Sequence, residues 1–449
     1  MDSGRMSTLA GNAAVPWYRT LSRRQWNVLL ASNLGWLFDG FENYALILTA
    51  APALKQLLPA ASQPQLSFFV GLIMAINLLG WGIGGLLGGI AADYIGRKRM
   101  MMAAILGYSI MTGLSAFAFS WWSFAILRFL VGMTVGSEWA IGSSMVAEIW
   151  PDRARGKGAG LMQCGLGVGF FIASFAWLFL SPTGPSAWRY MYLLGVVPAL
   201  LTLWIRRSVE ESEVWKAMAK RRENAKLMVA EGGELAFPER QLARFTLVDL
   251  LSDRESFRTT CLVLLMSLAT TVGFWSVSTW VPQFVGAVAS SRGHDAASWA
   301  SFAGMAYTAG SITGYVALGF LADALGRKPV TLGFYIGALA FTPLLFFGRH
   351  DPVWLLMLAF ANAIFSNGQY TWMAVWLPEL YPTRIRATAM AFVFNSPRFL
   401  AFVGPIVAGS LITALGGYGW AAMTLSSVYL IGVFAAPFLP ETRGKPLPA

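Results

Sequence analysis

Twelve apolar runs recur along the whole chain, and this recurrence limits the possible folds more than any other feature of the sequence. A bilayer core of roughly 30 Å is crossed by about 20 consecutive apolar residues in a helix. Only 12% of the residues are charged, whereas soluble domains carry roughly 25%. We therefore predict an all-α polytopic membrane protein. Its twelve transmembrane helices are expected near residues 26–50, 66–92, 100–119, 122–146, 156–180, 188–207, 257–285, 297–322, 329–348, 353–378, 386–414 and 418–439.

The formal net charge of +11 is concentrated in alternate loops. If the N-terminus lies inside, 27 of the 33 Lys and Arg residues fall on the inner side and only Lys55, Arg189, Arg292 and Arg349 on the outer side. By the positive-inside rule, this bias predicts that both termini are cytoplasmic. The charge is then a matter of topology in the lipid bilayer, and no nucleic-acid partner is expected. Compact loops favour a bacterial inner (plasma) membrane.

Two loop motifs occur twice at nearly the same spacing. "GIAADYIGRKR" and "GFLADALGRKP" contain Asp93 and Asp323, and the separation of these acids along the chain differs by a single position from that of Glu148 and Glu379. A nearly constant offset in independent motifs predicts two homologous six-helix halves, with a substrate site at the midplane between them. The predicted divisions are a cytoplasmic N-terminal arm (1–25), a first bundle (26–207), a cytoplasmic linker (208–256), a second bundle (257–439) and a cytoplasmic tail (440–449).

The repeated loops pair acids with basic turns at the inner ends of helices. We interpret them as a gate that holds the cytoplasmic side closed, although a plain topological anchor would use the same residue types. The gating candidates are Asp93, Arg97, Arg99, Glu148, Arg155, Asp323, Arg327, Glu379 and Arg386.

At these residues the chain resembles the major facilitator superfamily. The loops after helices 2 and 8 match its signature, with Pro329 as a departure in the second copy. "RFLVG", "ESEVW" and "PETRGK" look like sugar-porter elements, although the helix 7 sugar signature is missing and position 374 is alanine. The resemblance implies twelve transmembrane helices in two pseudo-symmetric bundles and secondary active transport by alternating access.

Four charged residues within helices 1 and 4 are candidates for proton coupling. Asp39 and Glu42 share one helix face, and two such carboxylates should not both be ionised in a low dielectric. Glu42 aligns with the helix 1 acid of proton-coupled sugar porters and Arg128 with its helix 4 partner, while "DGFE" resembles an element of aromatic acid:proton symporters. A permanent ion pair between helices 1 and 4 is the alternative. Glu138 is either a further proton site or an acid at a packing interface.

Arg398 lies in the middle of helix 11, where the sequence contains no acid to neutralise it. An arginine stays charged in proteins, so it requires an anion or a wet cavity. A substrate carboxylate held by the planar guanidinium would supply that anion, and the stretch from Glu379 to Arg398 resembles organic anion transporters. An internal bridge from Arg398 to Asp39 or Glu42 is the alternative.

The leading hypothesis is proton-coupled symport of a small organic anion, a monocarboxylate or aromatic carboxylate. A sugar or organic cation:proton symporter would use the same scaffold, and a non-transporting sensor would use residues 208–256 for signalling. We expect no enzyme activity, no cofactor or metal, and a monomer. Besides Arg398, the substrate-binding candidates are Asn43, Tyr44, Gln163, Trp275, Tyr307, Gln369, Tyr370, Trp372 and Asn395.

Overall fold

The computed structural model describes residues 16–231, 242, 244–278, 280–348, 351–401, 415 and 417–448. Within these residues it contains helices and turns but no strand, which confirms the predicted all-α class. Parts of the predicted N-terminal arm (1–15), linker (232–241 and 243) and helix 11 (402–414) lie outside the described residues.

Among the described residues, helical spans follow one another in the predicted order, and we number them 1 to 12. Interrupted spans are given by their segments. The spans are Arg23–Leu57 (1), Leu66–Ile95 (2), Arg97–Ser115 (3), Trp121–Ile149 (4), Arg155–Gln163 with Gly165–Leu180 (5), Ala187–Leu194 with Pro198–Ser208 (6), Arg254–Ser278 (7), Ala296–Leu325 (8), Arg327–Phe347 (9), Pro352–Ser366 with Thr371–Leu380 (10), Arg386–Asn395 with Arg398–Ala401 (11), and Tyr418–Ser426 with Tyr429–Ala435 (12). Helices Glu213–Ala230 and Thr246–Ser252 connect spans 6 and 7, and Val281–Ser290 follows span 7.

Eight helical stretches of the described chain are long and apolar enough to cross a membrane, and they belong to spans 2, 4, 5, 6, 7, 8, 9 and 12. The other four spans depart from that pattern for identifiable reasons. Span 1 contains buried acids, span 3 begins with three basic residues, span 10 is divided, and span 11 reaches the edge of the described residues.

Several predicted spans are interrupted where continuous helices were expected. Span 6 restarts at Pro198 and span 11 restarts after Pro397, because proline lacks the N–H that would continue the helical ladder. Span 10 is interrupted by a 3₁₀ turn at Gly368–Tyr370. The breaks in spans 10 and 11 lie next to Tyr370, Phe394 and Arg398, which line the candidate site described below.

The repeated Gly-Arg-Lys turns have the same backbone geometry in both halves of the chain. Gly96 ends span 2 with φ 113°, and Gly326 ends span 8 with φ 110°. Only glycine adopts such angles readily. Each turn therefore places an arginine at the start of the next span, and the two arginines occupy corresponding positions.

We refer to spans 1–6 as the first half and to spans 7–12 as the second half. Span 2 packs against span 11, and span 5 packs against span 8. At the second contact the backbones approach closely: a Cβ on Gly160 would lie 3.2 Å from the Cα of Gly319. Small residues allow such crossings in membrane helices. The division into bundles at residues 26–207 and 257–439 stays a prediction.

Candidate functional site

A narrow cavity of about 30 Å³ lies between the two halves. Its wall is mostly aromatic, and one amide and one guanidinium are the polar groups that do not belong to aromatic side chains. The lining residues are Trp36, Asn43, Trp81, Leu166, Phe170, Phe274, Trp275, Tyr315, Tyr370, Phe394 and Arg398. Apolar walls with a few convergent polar groups are typical of small-molecule sites.

Arg398 supplies the guanidinium of this cavity and is 4% exposed. Its Nη1 donates to the carbonyl oxygen of Phe394, while its Nε has no partner in the described chain. Its Cζ lies 4.5 Å from the ring centroid of Trp81 and 4.0 Å from that of Phe394. Within the described residues it forms no ion pair, so the alternative bridge to Asp39 or Glu42 is not present. A buried cation therefore faces an aromatic cavity with no counter-ion in the described part of the chain.

The other predicted substrate-binding residues divide into two groups. Asn43, Trp275 and Tyr370 line the cavity. The remaining side chains lie outside its lining and are largely engaged elsewhere: Tyr44 stacks on Phe170, Gln163 accepts from Trp139, Tyr307 contacts Ser366 and Asn367, Gln369 donates to the Ser366 carbonyl, Trp372 donates to Thr270, and Asn395 donates to the Ala391 carbonyl. The sequence did not single out Trp36, Trp81, Phe170 or Phe394, which form much of the wall.

Asp39 meets Glu138 across the interface between spans 1 and 4. The two carboxyl groups contact each other, and the Glu138 side chain lies against Gly35, where the missing side chain leaves room. No N–H or O–H group of the described residues donates to any of their four oxygens. Two carboxylates in contact within a low dielectric cannot both be charged. The acid pair is thus Asp39 with Glu138, whereas the sequence suggested Asp39 with Glu42.

Glu42 instead faces Arg128 of span 4. Its Oε2 lies 3.4 Å from Nη1 of Arg128, and Nη2 of Arg128 donates to the hydroxyl of Ser115 at 2.6 Å. The guanidinium also lies over the ring of Tyr192, 4.4 Å from its centroid. Both members of the ion pair are at most 2% exposed. The predicted connection between helices 1 and 4 is therefore formed by this pair.

Asp39 and Glu138 are connected to the cavity wall by nearby residues of their own spans. Asn43, which lines the cavity, donates through Nδ2 to the carbonyl of Asp39 at 2.8 Å. Trp139, next to Glu138, stacks on Phe394 with ring centroids 3.8 Å apart. A change at the acids can thus be transmitted directly to the cavity wall.

The predicted gating residues form two matching networks at one end of the bundle, which we call the basic end. In the first network, Arg97 pairs with Asp93 at 2.8 Å and with Glu148 at 3.2 Å, and Glu148 pairs with Arg386 at 3.1 Å. The second half supplies Arg386, so this network crosses between the halves.

The second network repeats that arrangement. Arg327 pairs with Asp323 at 3.1 Å and with Glu379 at 2.7 Å, and Glu379 pairs with Arg155 of the first half at 2.8 Å. Eight of the nine gating candidates belong to these networks. Arg99 is exposed and joins neither of them among the described residues.

The two acids also accept hydrogen bonds from the starts of spans in the opposite half. Asp93 accepts from the backbone N–H and the hydroxyl of Thr388, at 2.9 and 2.7 Å. Asp323 accepts from the backbone N–H groups of Gly156 and Lys157, at 3.0 and 2.9 Å. Each acid thus joins the two halves at the basic end.

Two further acids at the basic end were not identified as candidates. Glu211 accepts from the backbone N–H groups of Arg97 and Lys98, and Glu441 accepts from those of Arg327 and Lys328. Partial burial opposes the ionisation of Glu441, but these backbone donors hold the pKa of its carboxyl below its usual value. The separation of Glu211 from Glu441 along the chain equals that of Asp93 from Asp323, and this equality was the signal that could have identified them.

Comparison with known proteins adds independent information. The profile of the family described as "Sugar (and other) transporter" matches residues 31–449. A putative metabolite transport protein of Haemophilus influenzae is 29% identical over 94% of this chain and 98% of its own. A probable 4-methylmuconolactone transporter of Cupriavidus pinatubonensis is 27% identical over 95% and 93%, and a cis,cis-muconate transport protein of Acinetobacter baylyi is 28% identical over 84% and 86%.

Among solved structures, the major facilitator superfamily proton:xylose symporter XylE, bound to 6-bromo-6-deoxy-D-glucose, superposes with a TM-score of 0.74. It covers 94% of this chain and 98% of its own, at 22% sequence identity. At that identity the likeness concerns the fold, and it agrees with twelve helices arranged as in that superfamily.

Proposed function

Because the chain belongs to the sugar (and other) transporter family of the major facilitator superfamily, we propose that it is a secondary active transporter that symports a small organic anion with protons. Its relatives are transporters and not enzymes. The proposed substrate is a monocarboxylate or an aromatic carboxylate. The observation that carries the proposal is Arg398, a buried guanidinium that faces an aromatic cavity and has no counter-ion among the described residues.

The cavity chemistry favours a planar carboxylate over a sugar. A guanidinium binds a carboxylate with two parallel N–H···O bonds, and aromatic walls offer stacking surfaces to a flat ring. A sugar is bound mainly through hydrogen bonds, whereas this lining is mostly ring surface. Its polar groups are the Asn43 amide, the Arg398 guanidinium, the hydroxyls of Tyr315 and Tyr370, and the indole N–H groups of Trp36, Trp81 and Trp275. The names of the muconate and 4-methylmuconolactone relatives, as well as a gentisate transporter of Corynebacterium glutamicum, point to the same class of organic acids.

Proton coupling rests on the four buried charged residues of spans 1 and 4. Asp39 and Glu138 are in contact and cannot both be ionised, and Glu42 has a cation partner that it can exchange for a proton. Both groups adjoin the cavity wall through Asn43 and Trp139. We propose that binding of an anion at Arg398 is thereby linked to the protonation of these acids.

The basic end is proposed to face the cytoplasm of a bacterial cell, with both termini inside. The support is the distribution of Lys and Arg among the loops, which follows the positive-inside rule. The paired networks that join the halves there are proposed to keep the cytoplasmic side closed. One chain contains both halves, so a monomer suffices for this mechanism.

A thermal-shift comparison of matched ligands tests the substrate class. Purified protein is heated with benzoate, benzamide, benzylamine or xylose, since a ligand that binds the folded state stabilises it by mass action. We expect benzoate to raise the melting temperature and the neutral amide of the same shape to leave it unchanged. Stabilisation by xylose or benzylamine, with no effect of any carboxylate tested, would overturn the proposal.

Transport by reconstituted vesicles tests the coupling. Vesicles with a pH gradient that is acidic outside should accumulate the stabilising carboxylate above its external concentration, and a protonophore should abolish this accumulation. Accumulation that is indifferent to the pH gradient would contradict proton symport while leaving the substrate class intact.

A further inference from the structure

The basic end contains a second cavity, separate from the one between the halves. It opens to the surface beside spans 3 and 6 and the helix Glu213–Ala230, and has a volume of about 710 Å³. We propose that this span 3–span 6 cavity binds the phosphate headgroup of an anionic membrane lipid. Its lining residues are Lys98, Arg99, Met102, Arg206, Glu211, Trp215 and Lys216.

Two guanidinium groups of this cavity are available to an anion. The exposed side chains of Arg99 and Arg206 form no ion pair or hydrogen bond within the described residues. The acid of the lining, Glu211, already accepts from the backbone N–H groups of Arg97 and Lys98 at 3.1 Å each. Guanidinium groups bind phosphate oxygens with paired N–H donors, which suits a headgroup phosphate.

The remaining cations of the lining are partly engaged. The Nζ of Lys98 donates to the carbonyl of Arg206 at 2.9 Å, and Lys216 pairs with the exposed Glu213 at 2.9 Å. Both lysines add positive charge to the cavity, and these contacts hold their side chains in place. The cavity is therefore cationic overall and has two unpartnered arginines on its wall.

An exposed apolar seam runs from this cavity along the bilayer-facing surface. On span 3, Met102 of the lining is followed at one-turn intervals by Leu106, Ile110 and Leu114, which are 44–46% exposed. On span 6, which packs against span 3, Leu203 and Leu200 are 60% and 66% exposed. A lipid can place its phosphate in the cavity and its acyl chain along the seam. A free phosphate would use only the cavity and not the seam.

The internal repeat provides a matched comparison. The Nζ of Lys328 donates to the carbonyl of Pro437, as that of Lys98 donates to the carbonyl of Arg206. Pro329 stands after Lys328 where Arg99 stands after Lys98. The second half thus keeps the same framework with prolines in place of both arginines. The framework does not need Arg99 or Arg206, so both guanidinium groups are available to an external ligand.

The test uses a soluble short-chain lipid in detergent. Affinity is measured by thermal shift of the full chain against dioctanoyl phosphatidylglycerol, dioctanoyl phosphatidylcholine and inorganic phosphate. The site variant is Arg99→Gln with Arg206→Gln. The control, Lys328→Gln with Arg443→Gln, removes the same charge from the same end of the second half.

We expect phosphatidylglycerol to stabilise the native chain and the control alike, and to bind the site variant about thirtyfold more weakly, since each arginine near an anionic lipid contributes about fivefold. Phosphatidylcholine and inorganic phosphate should have little effect on any of the three. Equal loss in the control would show a general charge effect and overturn the site. Equal stabilisation by inorganic phosphate would show a phosphate site and overturn the lipid.

Discussion

The charges at the basic end and the charges around the central cavity are organised in opposite ways. At the basic end, Arg97 and Arg327 occupy equivalent turns, and each is paired with two acids of its own half. Around the cavity, the acids lie in the first half and the unpaired cation, Arg398, lies in the second. Charges that are repeated in both halves and fully paired therefore occur where the halves are held together. Charges that are not repeated, and that lack a partner of opposite charge among the described residues, occur where a ligand would bind.

The internal offset makes this contrast explicit. At the same spacing along the chain that relates Glu148 to Glu379, Glu138 corresponds to Gln369, Arg128 to Ala359, and Arg398 to Gly167. These charged residues around the cavity therefore have no charged counterpart in the other half. An intramembrane charge costs about 2.5–3.5 kcal/mol on insertion scales. A charge retained in only one half is therefore more informative about chemistry than one retained in both.

The largest effect is expected at Arg398, where an unrepeated charge is removed. Arg398→Ala should weaken benzoate binding by about thirtyfold to several thousandfold, because removing one member of a desolvated charge pair costs about 2–5 kcal/mol. Arg398→Lys should weaken it less, since lysine keeps the charge but loses the planar fork. Equilibrium binding of labelled benzoate measures both.

Two controls accompany this measurement. Arg292→Ala removes an exposed arginine paired with Asp351 on the surface and should leave benzoate affinity unchanged. The double variant Arg398→Ala with Asp39→Asn addresses an internal ionic role for Arg398. Recovery of benzoate affinity in the double variant would show that Arg398 serves the fold rather than the ligand.

The next largest effect is expected from removing an acid from one of the two matching networks at the basic end. Asp93→Asn weakens the hydrogen bonds from Thr388, and Asp323→Asn weakens those from Gly156 and Lys157. Hydrogen bonds to a charged group contribute about 1.5–3 kcal/mol, so the equilibrium for closing this end should fall by about ten- to a hundredfold. We expect slower turnover with near-native benzoate affinity.

Transport rates in reconstituted vesicles measure this effect. Glu213→Gln is the control, because it removes an acid of the same end whose ion pairs are exposed to solvent and contribute little. If both aspartate variants transport at the native rate, the paired networks are anchors and not gates.

A smaller effect is expected from the acids beside the cavity. Glu42→Gln, and separately Glu138→Gln, should reduce the accumulation of benzoate driven by a pH gradient, by about tenfold for each pH unit and each proton lost from the cycle. Exchange of labelled for unlabelled benzoate at equal pH should persist, because it requires no net proton movement. Full accumulation in both variants, and in Asp39→Asn, would remove these acids from the coupling mechanism.

The smallest effect concerns the wall between acids and cavity. Trp139→Phe keeps the stack on Phe394 but removes the N–H that donates to Gln163 at 2.9 Å. Loss of one neutral hydrogen bond of about 0.5–1.5 kcal/mol should lower benzoate affinity by about two- to tenfold. Gln163→Leu should have a similar effect, and the double variant should be no worse than either single one. Additive losses would show that Gln163 contacts the ligand independently of Trp139.

Span order and the networks at the basic end could be predicted from sequence because their signals are local and occur twice. The Gly-Arg-Lys turns need glycine at positive φ and place Arg97 and Arg327 at helix starts, wherever the helices pack. The interruptions in spans 6, 10 and 11 were less accessible. Proline inside an apolar run can kink a helix or divide it, and packing against neighbouring helices decides between these outcomes.

The candidate site was only partly predictable, because it depends on which helix faces meet. Arg398 stands out in any sequence of this kind, since its charge has no local partner. Trp36, Trp81 and Phe394 do not stand out in a chain that is 14% aromatic. Likewise, spacing along span 1 suggested Asp39 with Glu42, but the packing of span 4 against Gly35 brings Glu138 to Asp39.

The stack of Trp139 on Phe394 joins a residue of the first half to one of the second, in planes only 12° apart. Two rings in face contact cannot remain so when the elements that carry them rotate against each other. The emission of this indole should therefore change each time the molecule passes from one conformation to the other. In a variant whose other tryptophans are replaced by phenylalanine, Trp139 would act as an intrinsic fluorophore that records each turnover without any attached dye.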